Sequence, residues 1–256
     1  MRRVIRLCEK LSPPALAAEW DNVGLIIGDL SARVKGVLVA LDVTEEAIEA
    51  AVKQNCNLMV VHHPPILAPI KKIDVKNPLG RLIKSLLTRD ISVYVMHTNL
   101  DSAPRGLNHH VARMIGLKKI RPVTSSGITY RIGELPADKG AREFAALVKK
   151  RLGISSVRLY GNVRAVKKIA VCTGSGGELL TDAAAKGADA LITGDVKHHQ
   201  ALVSRQLGLC LLDAGHFGTE RPMVELAAGF LKKHLTNGSK RINIRVFHSE
   251  EPFEEL

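Results

Sequence analysis

The chain has 256 residues, of which 46% are apolar and 24% are charged, and these proportions are ordinary for a folded globular protein. No apolar run approaches the roughly 20 residues of a membrane-spanning helix, which excludes a membrane-embedded protein. The net charge of +12 favours polyanionic partners such as nucleotides, phosphorylated small molecules or nucleic acid, although a merely Lys-rich surface would give the same balance.

The N-terminal segment, residues 1–16, predicts an opening helix. Its start is basic, but Glu9 and Lys10 interrupt any apolar stretch that could serve as a secretion signal. We predict buried free thiols for four cysteines that are widely spaced and form no CxxC pair: Cys8, Cys56, Cys172 and Cys210. A cytoplasmic location is therefore expected, because free thiols are typical of a reducing compartment.

The segment EWDNVGLIIGD, residues 19–29, contains the only tryptophan of the chain. Asp21 and Asn22, followed by Gly24, indicate a tight loop near a binding cleft. We expect Trp20 itself to pack in the core.

Residues 34–61 predict a strand, a helix and a second strand, with Thr44 as the helix N-cap and two glutamates in the first turn. The same order of elements recurs 132 residues later, in residues 166–193. Few residues are identical, so the shared order is what indicates an internal duplication. The alternative is a pair of ordinary βαβ units, which any parallel sheet contains.

Histidines follow the predicted strands. His62 and His63 end an apolar run, and the two prolines after them fix a turn from which both imidazoles can enter one cavity. His97 and His216 each leave a later strand and each precede an acid by four residues, Asp101 and Glu220. Since open parallel sheets bind ligands beyond the carboxyl ends of their strands, these groups can line a common cleft.

A mixture of imidazole and carboxylate ligands suits zinc, manganese or iron better than calcium. Asp101 is the most plausible bridge between two cations. In the second copy of the duplicated unit, Asp195 and His199 are expected to orient the metal ligands. The alternative is that Asp195 only caps a helix and that the histidines beside it are exposed. Surface or structural roles are predicted for the remaining histidines: His109, His110, His234 and His248.

The turn TGSGG, residues 173–177, joins a strand to a helix and has backbone N–H groups that could bind a phosphate. Between the halves we predict a strand at 128–135, a basic amphipathic helix at 140–152 and a strand at 154–160. The expected domains are 1–123 and 124–256, with the metal cleft between them.

These segments resemble the Nif-three-like family, whose members are often called GTP cyclohydrolase type 2 homologues. The motifs that carry the resemblance are WDNVGL, VVHHPPI, HTNLD, TGSGG, TGDVKHH and GHFGTE, which run from residue 20 to 220 in the family's order. The chain resembles the family's compact form, which lacks an inserted domain. The fold that the resemblance implies is α/β, with two intertwined domains of largely parallel sheets flanked by helices.

The resemblance also implies a centre of two divalent metal ions per subunit with five ligands: His62, His63, Asp101, His216 and Glu220. It further implies a homohexamer, built as a toroidal trimer of dimers. We assign His97 a catalytic role, because the resemblance gives the first-half ligand positions to other residues.

The favoured function is metal-dependent hydrolysis of a nucleotide or another phosphorylated substrate. Two divalent cations lower the pKa of a water molecule towards neutrality. The resulting hydroxide could add to C8 of guanine, with His97 as proton relay, or attack a phosphoester. The alternatives are a hexameric scaffold that binds partner proteins or, weakly, single-stranded nucleic acid, and a metallochaperone. The low aromatic content, 4%, argues against the nucleic-acid role.

Overall fold

Two sheets flanked by helices make up the computed structural model, which describes residues 1–161, 163–235 and 241–254. The chain divides into two compact units. The first unit comprises Met1–Leu100 and Met223–Leu256, and the second comprises Asp101–Pro222. The mixed α/β class predicted from the sequence is confirmed.

The first unit contains a five-stranded sheet whose interior strands are apolar and fully buried. Apart from one edge strand, which runs antiparallel to its neighbour, all neighbouring strands are parallel. Strands buried on both faces are typical of parallel sheets covered by helices. The order across the sheet is β1 (Gly24–Ile27), β4 (Ser92–Val95), β3 (Leu58–Val61), β2 (Gly36–Ala40) and β11 (Asn243–Val246).

Helices complete the first unit. The predicted N-cap of the helix Glu45–Lys53 is confirmed, because Thr44 Oγ1 accepts a hydrogen bond of 3.1 Å from the Ala47 N–H. Short connections follow Glu45–Lys53 and Pro78–Thr88, so the chain returns from both helices to the sheet at once. The helices are α1 (Arg2–Leu11), α2 (Glu45–Lys53), α3 (Pro78–Thr88) and α10 (Pro222–Leu235), with a 3-10 turn at Pro14–Leu16.

The second unit contains a six-stranded mixed sheet. Only three of its strands are parallel neighbours, so the prediction of largely parallel sheets fails here. The segment between the two halves supplies the other three strands, which all pair antiparallel. Their order is β5 (Lys118–Ser125), β6 (Ile128–Gly140), β8 (Ala165–Ser175), β9 (Ala190–Gly194), β10 (Cys210–Asp213) and β7 (Arg158–Tyr160).

The helices of the second unit lie close to their predicted positions. The helix predicted at 140–152 is observed at Ala141–Leu152, and the strand before it extends to Gly140. A short helix, α4 (Thr98–Ser102), crosses the boundary between the units. The others are α5 (Leu107–Met114), α6 (Ala141–Leu152), α7 (Leu180–Ala185), α8 (His198–Leu207) and α9 (His216–Glu220), with a 3-10 turn at Gly177–Leu179.

The expected duplication is visible in the strand register. Val37 of β2 lies opposite Leu58 of β3, and Ile169 of β8 lies opposite Ala190 of β9. Both partners are displaced by the same 132 residues that relate the two sequence segments. The parallel cores of the two sheets therefore share one register as well as one order of elements.

The units do not follow the predicted boundaries of 1–123 and 124–256. After Pro222 the chain returns to the first unit, where β11 pairs in parallel with β2 and places Ile244 opposite Val37. This four-residue edge strand has no pattern strong enough to predict its partner. The two units are therefore intertwined in sequence, as the resemblance implies.

All four cysteines are free and buried, as predicted. Burial raises the pKa of each thiol, which makes these groups poor nucleophiles. Among the described residues, no helix combines the length and the apolar character needed to cross a membrane.

Candidate metal centre

Three histidines of the first unit converge where two neighbouring parallel strands end. His62 and His63 follow β3, and His97 follows β4. The N–H groups of both His62 and His63 donate to the same carbonyl, that of Leu41, so the backbone turns here and both imidazoles face one space. One ring nitrogen from each of the three lies within 4.8 Å of the other two. We call His62, His63 and His97 the histidine cluster.

The Nδ1 atoms of the two adjacent histidines are held by acceptors. Nδ1 of His62 lies 2.8 Å from the carbonyl oxygen of Met96, and Nδ1 of His63 lies 2.7 Å from Oδ1 of Asp42. These acceptors favour the tautomer with hydrogen at Nδ1, which leaves the lone pair on Nε2. A buried imidazole oriented in this way is the usual form of a histidine that ligates a metal.

His97 is held by a carboxylate from a distant part of the first unit. Its Nδ1 lies 2.8 Å from Oδ1 of Asp21, and the other oxygen of Asp21 accepts from the N–H and hydroxyl of Thr98. Burial raises the pKa of Asp21, but the hydrogen bonds from His97 and Thr98 outweigh burial and bring it to about 2. Asp21 is therefore a carboxylate at neutral pH, and it fixes the ring of His97.

The second unit carries a pair of carboxylates around one histidine, Asp195 and Glu220 around His216, which we call the carboxylate cluster. Nδ1 of His216 lies 2.7 Å from Oδ2 of Asp195, and Nε2 lies 2.9 Å from Oε2 of Glu220. The hydrogen bond with Glu220 raises the pKa of His216 to about 9, against burial, which lowers it. The expected orienting role of Asp195 is thus consistent with its contact.

The glycine-rich turn shapes the carboxylate cluster and does not offer a free row of N–H groups. A Cβ atom on Gly174 would lie 2.2 Å from Oε1 of Glu220, and Gly174 has a φ of +65°, so a larger residue would displace that carboxylate and strain the backbone. Three N–H groups of the turn already donate to side chains: those of Thr173, Gly174 and Gly176. These internal hydrogen bonds argue against the phosphate-binding role considered from the sequence.

Asp101 lies in the same unit, at the end of α4. Its Oδ1 accepts a hydrogen bond of 3.2 Å from the hydroxyl of Thr173, at the end of β8. The buried Arg131 donates to the carbonyls of Ser102 and Ala103, directly after Asp101. Arg131 therefore fixes the backbone that positions Asp101. The sequence offered no signal for this role, because Arg131 lies within an ordinary amphipathic strand.

The remaining histidines take no part in either cluster. His198 and His199 are exposed at the start of α8, which fits the alternative considered for them. His109 and His110 are partly buried on α5, where burial lowers the pKa of each. Local contacts hold the others, since His234 bonds the Phe230 carbonyl and His248 pairs with Glu225.

Trp20 does not pack in the core, contrary to expectation. The residue is 60% exposed, and its ring centroid lies 6.0 Å from that of His97 at an interplanar angle of 75°. The loop that carries it is held by hydrogen bonds of Asp21, so the apolar ring needs no buried site to fix its position.

These donors fit a transition-metal ion. Imidazole nitrogens whose second nitrogen is already bonded, together with carboxylate oxygens, are the ligands that zinc, iron and manganese take. The alternative of purely structural histidines does not explain why three imidazoles converge at adjacent strand ends. The described residues thus contain His and Glu groups that can bind a metal.

Several known proteins resemble this chain over 90% or more of its length. A family model described as Duf34/NIF3 (NGG1p interacting factor 3) matches residues 1–252. The chain belongs to this family. A GTP cyclohydrolase 1 type 2 homolog of Clostridium perfringens is 35% identical over 98% of this chain and 97% of its own length. The GTP cyclohydrolase 1 type 2 of Helicobacter pylori is 32% identical, over 90% and 91% of the two chains.

The fold is also that of solved family members. The crystal structure of a Bacillus cereus protein related to NIF3 matches this structure with a TM-score of 0.89, over 100% of this chain and 98% of that one. At 24% identity this likeness establishes the fold alone. The family predicted from the sequence motifs is confirmed.

Proposed function

We propose that this protein is a metal-dependent hydrolase acting on a nucleotide or another phosphorylated substrate. The observation that carries the proposal is the common orientation of the histidines in the two clusters. In each of them Nδ1 contacts a hydrogen-bond acceptor and Nε2 faces the cluster. Structural histidines need no such uniform orientation, whereas metal ligands do. The names of the relatives, which refer to a GTP cyclohydrolase, favour a nucleotide as substrate.

The proposed centre is dinuclear. Imidazoles supply neutral nitrogen donors, and carboxylates supply the anionic oxygens that offset the charge of two divalent ions of the zinc, iron or manganese type. The proposed ligands are His62, His63, Asp101, His216 and Glu220. When bound, the ions would supply Lewis acidity and a water molecule of lowered pKa.

His97 is proposed as the catalytic proton carrier, although its ring nitrogen also lies close enough to His62 and His63 to bind a metal. The anionic Asp21 holds the Nδ1 hydrogen of His97. The ring can therefore accept and return a proton at Nε2 without rotating. An imidazole fixed in this way suits general acid–base catalysis.

Self-association into the expected hexamer remains part of the proposal. The first unit exposes several large apolar side chains between β3 and α3, and monomers rarely leave such groups uncovered together. Six chains would carry a charge of roughly +70, which must be spread, screened or matched by an anionic ligand. The exposed side chains are Leu67, Ile70, Ile73 and Val75.

A second candidate function is a metal-binding scaffold without turnover. The net charge of +12 and the exposed apolar loop favour it, since both suit binding of partners. It predicts bound metal, no hydrolysis, and binding of single-stranded nucleic acid that weakens as salt is added. Metal-dependent turnover separates the two candidates.

The test is a screen of GTP, other nucleotides and phosphoesters with protein purified without chelator. We expect turnover that EDTA abolishes and added Mn²⁺ or Zn²⁺ restores. His248→Ala, which alters an exposed histidine outside both clusters, should retain activity, whereas His62→Ala should not. Protein that holds its metal and turns over none of these compounds would favour the scaffold. Light scattering of the same sample should give the mass of six chains.

A further inference from the structure

Trp20 exposes its aromatic ring to solvent, and this exposure does not stabilise the fold. It is the only tryptophan of the chain, and the residue is 60% exposed. Tryptophan is the largest apolar side chain, and burying it would be strongly favourable. A solvent-exposed tryptophan next to a cluster of ligating groups therefore calls for a binding role.

The backbone on both sides of Trp20 is fixed. The N–H of Ala18 donates to the hydroxyl of Thr98 at 2.9 Å, and Asp21 accepts from the N–H of Thr98 at 3.0 Å. The chain is thus attached to the start of α4 two residues before the tryptophan and one residue after it. The backbone that carries the aromatic ring is held in place by polar anchors, and Trp20 stays exposed to solvent.

A third anchor lies next in the sequence. The N–H of Asn22 donates to Oδ1 of Asp21, and its side-chain amide donates to the Ile66 carbonyl at 2.6 Å. The loop is therefore tied to the segment that follows His62 and His63. A ligand meeting Trp20 meets a preorganised surface, so little conformational entropy is lost on binding.

The position of the ring relates it directly to the histidine cluster. The centroid of Trp20 lies 6.0 Å from that of His97, which in turn lies 5.1 Å from that of His62. The two planes of Trp20 and His97 are nearly perpendicular, at 75°. A flat molecule lying on the indole can therefore present its edge towards the imidazoles.

We propose that Trp20 is the stacking platform that binds the planar heteroaromatic ring of the substrate and so restricts the substrate to nucleobase-like compounds. This inference rests on the proposed function and deepens it. Stacking on an aromatic side chain tolerates different ring substituents, so it selects planar rings as a class. Polar contacts would then discriminate between individual nucleobases. Trp20 would bind the ring, while His97 moves the proton.

Ring-specific binding is the first measurement. We expect guanosine and GTP to quench the fluorescence of metal-loaded protein, because Trp20 is the sole tryptophan, and inorganic triphosphate to leave it unchanged. By calorimetry, Trp20→Ala should bind GTP about 5- to 150-fold more weakly, the range that removing one base-stacking aromatic side chain produces. Its affinity for inorganic triphosphate should not change.

Two further variants separate stacking from bulk and from folding. Trp20→Phe keeps an aromatic face and should retain most of the affinity for GTP, whereas Trp20→Leu keeps apolar volume and should bind as weakly as Trp20→Ala. Phe253→Ala removes another exposed aromatic ring and should bind normally. Equal affinity of Trp20→Leu and wild type would overturn the proposal, and so would equal loss of GTP and triphosphate binding.

Trp20 could instead belong to a surface that covers another copy of the chain. In that case Trp20→Ala would change the mass seen by light scattering, and this result would also overturn the proposal. Binding is measured separately from turnover, so the two hypotheses can fail independently. Ring-specific binding without hydrolysis refutes only the enzyme, whereas hydrolysis with an unchanged KM in Trp20→Leu refutes only the stacking role.

Discussion

The two sheets share a parallel core but end in different chemistry. Val37 pairs with Leu58 in the first unit as Ile169 pairs with Ala190 in the second, in the same register. Beyond these strands the first unit places imidazoles, and the second places carboxylates around one imidazole. A repeated scaffold can therefore keep its backbone register while the side chains at its strand ends diverge.

The comparison of His97 with His216 sharpens this point. Each follows a strand, and each has its Nδ1 held by a carboxylate, at 2.8 and 2.7 Å. The partner of His97, Asp21, lies 76 residues away, whereas the partner of His216, Asp195, lies 21 residues away. The function of orienting an imidazole is common to both units, but the element that performs it is not.

The largest expected effect is at Asp101, the proposed bridging ligand. Asp101→Ala should lose most of the bound metal, because no other described side chain is proposed to bridge the two metal ions. Asp138→Ala, which removes only an exposed partner of Lys167, should keep its full metal content. Elemental analysis of both proteins decides the matter, and full metal content in Asp101→Ala would refute the bridging role.

The next effect distinguishes His97 from its neighbours. His97→Ala should keep its metal and lose hydrolysis by roughly 10²- to 10⁴-fold, the usual contribution of a general acid or base. His62→Ala should lose metal as well as activity. If His97→Ala loses half of its metal, His97 is a ligand, and the histidine cluster binds a metal through all three imidazoles.

Replacing the orienting carboxylates tests whether the two units are equivalent. Asp42→Asn and Asp195→Asn should each weaken metal binding about 10- to 100-fold, as substitutions of such partners typically do. Asp21→Asn should impair turnover more than metal binding, because Asp21 holds the proposed proton carrier. Competition with a chromophoric chelator measures each affinity. Unchanged affinity in Asp42→Asn or Asp195→Asn would show that the carboxylates do not prepare these ligands.

The smallest effect is a pH dependence confined to the second unit. In metal-free protein His216 has a raised pKa of about 9, so its ion pair stabilises the fold fully below pH 6.5 and this contribution is lost as pH rises through 9. Metal binding must displace that proton. Calorimetry at pH 7.5 should therefore detect release of about one proton from this residue, and less in Asp195→Asn. Identical proton release in the wild type and in Asp195→Asn would show that Asp195 does not contribute to the raised pKa of His216.

Sequence patterns were sufficient for the elements that repeat. The apolar strands, the Thr44 cap and the histidines at strand ends all follow from local periodicity and local chemistry. Asp42 could have been found in the same way, because it follows the strand that neighbours β3. The antiparallel pairing of β6 with β8 and of β7 with β10 could not, since these pairs join segments distant in sequence.

Local sequence patterns could not predict the roles of two residues near the site. Arg131 acts through backbone carbonyls 28 and 29 residues earlier in the chain, and a strand pattern does not reveal such contacts. Trp20 was expected in the core because its residue type is usually buried. Trp20 can stay exposed because Thr98, 77 residues from Asp21, donates hydrogen bonds to Asp21. These hydrogen bonds fix the loop without burying the indole.

The metal content of the unmodified chain tests the proposed dinuclear centre most directly. Protein purified without chelator, and quantified by amino-acid analysis, should contain two transition-metal ions per chain by elemental analysis. Removal by chelator and readdition should restore both the ions and the turnover of nucleotide. Protein that binds no transition metal under these conditions, or that hydrolyses nucleotide equally well without it, would contradict metal-dependent hydrolysis at this site.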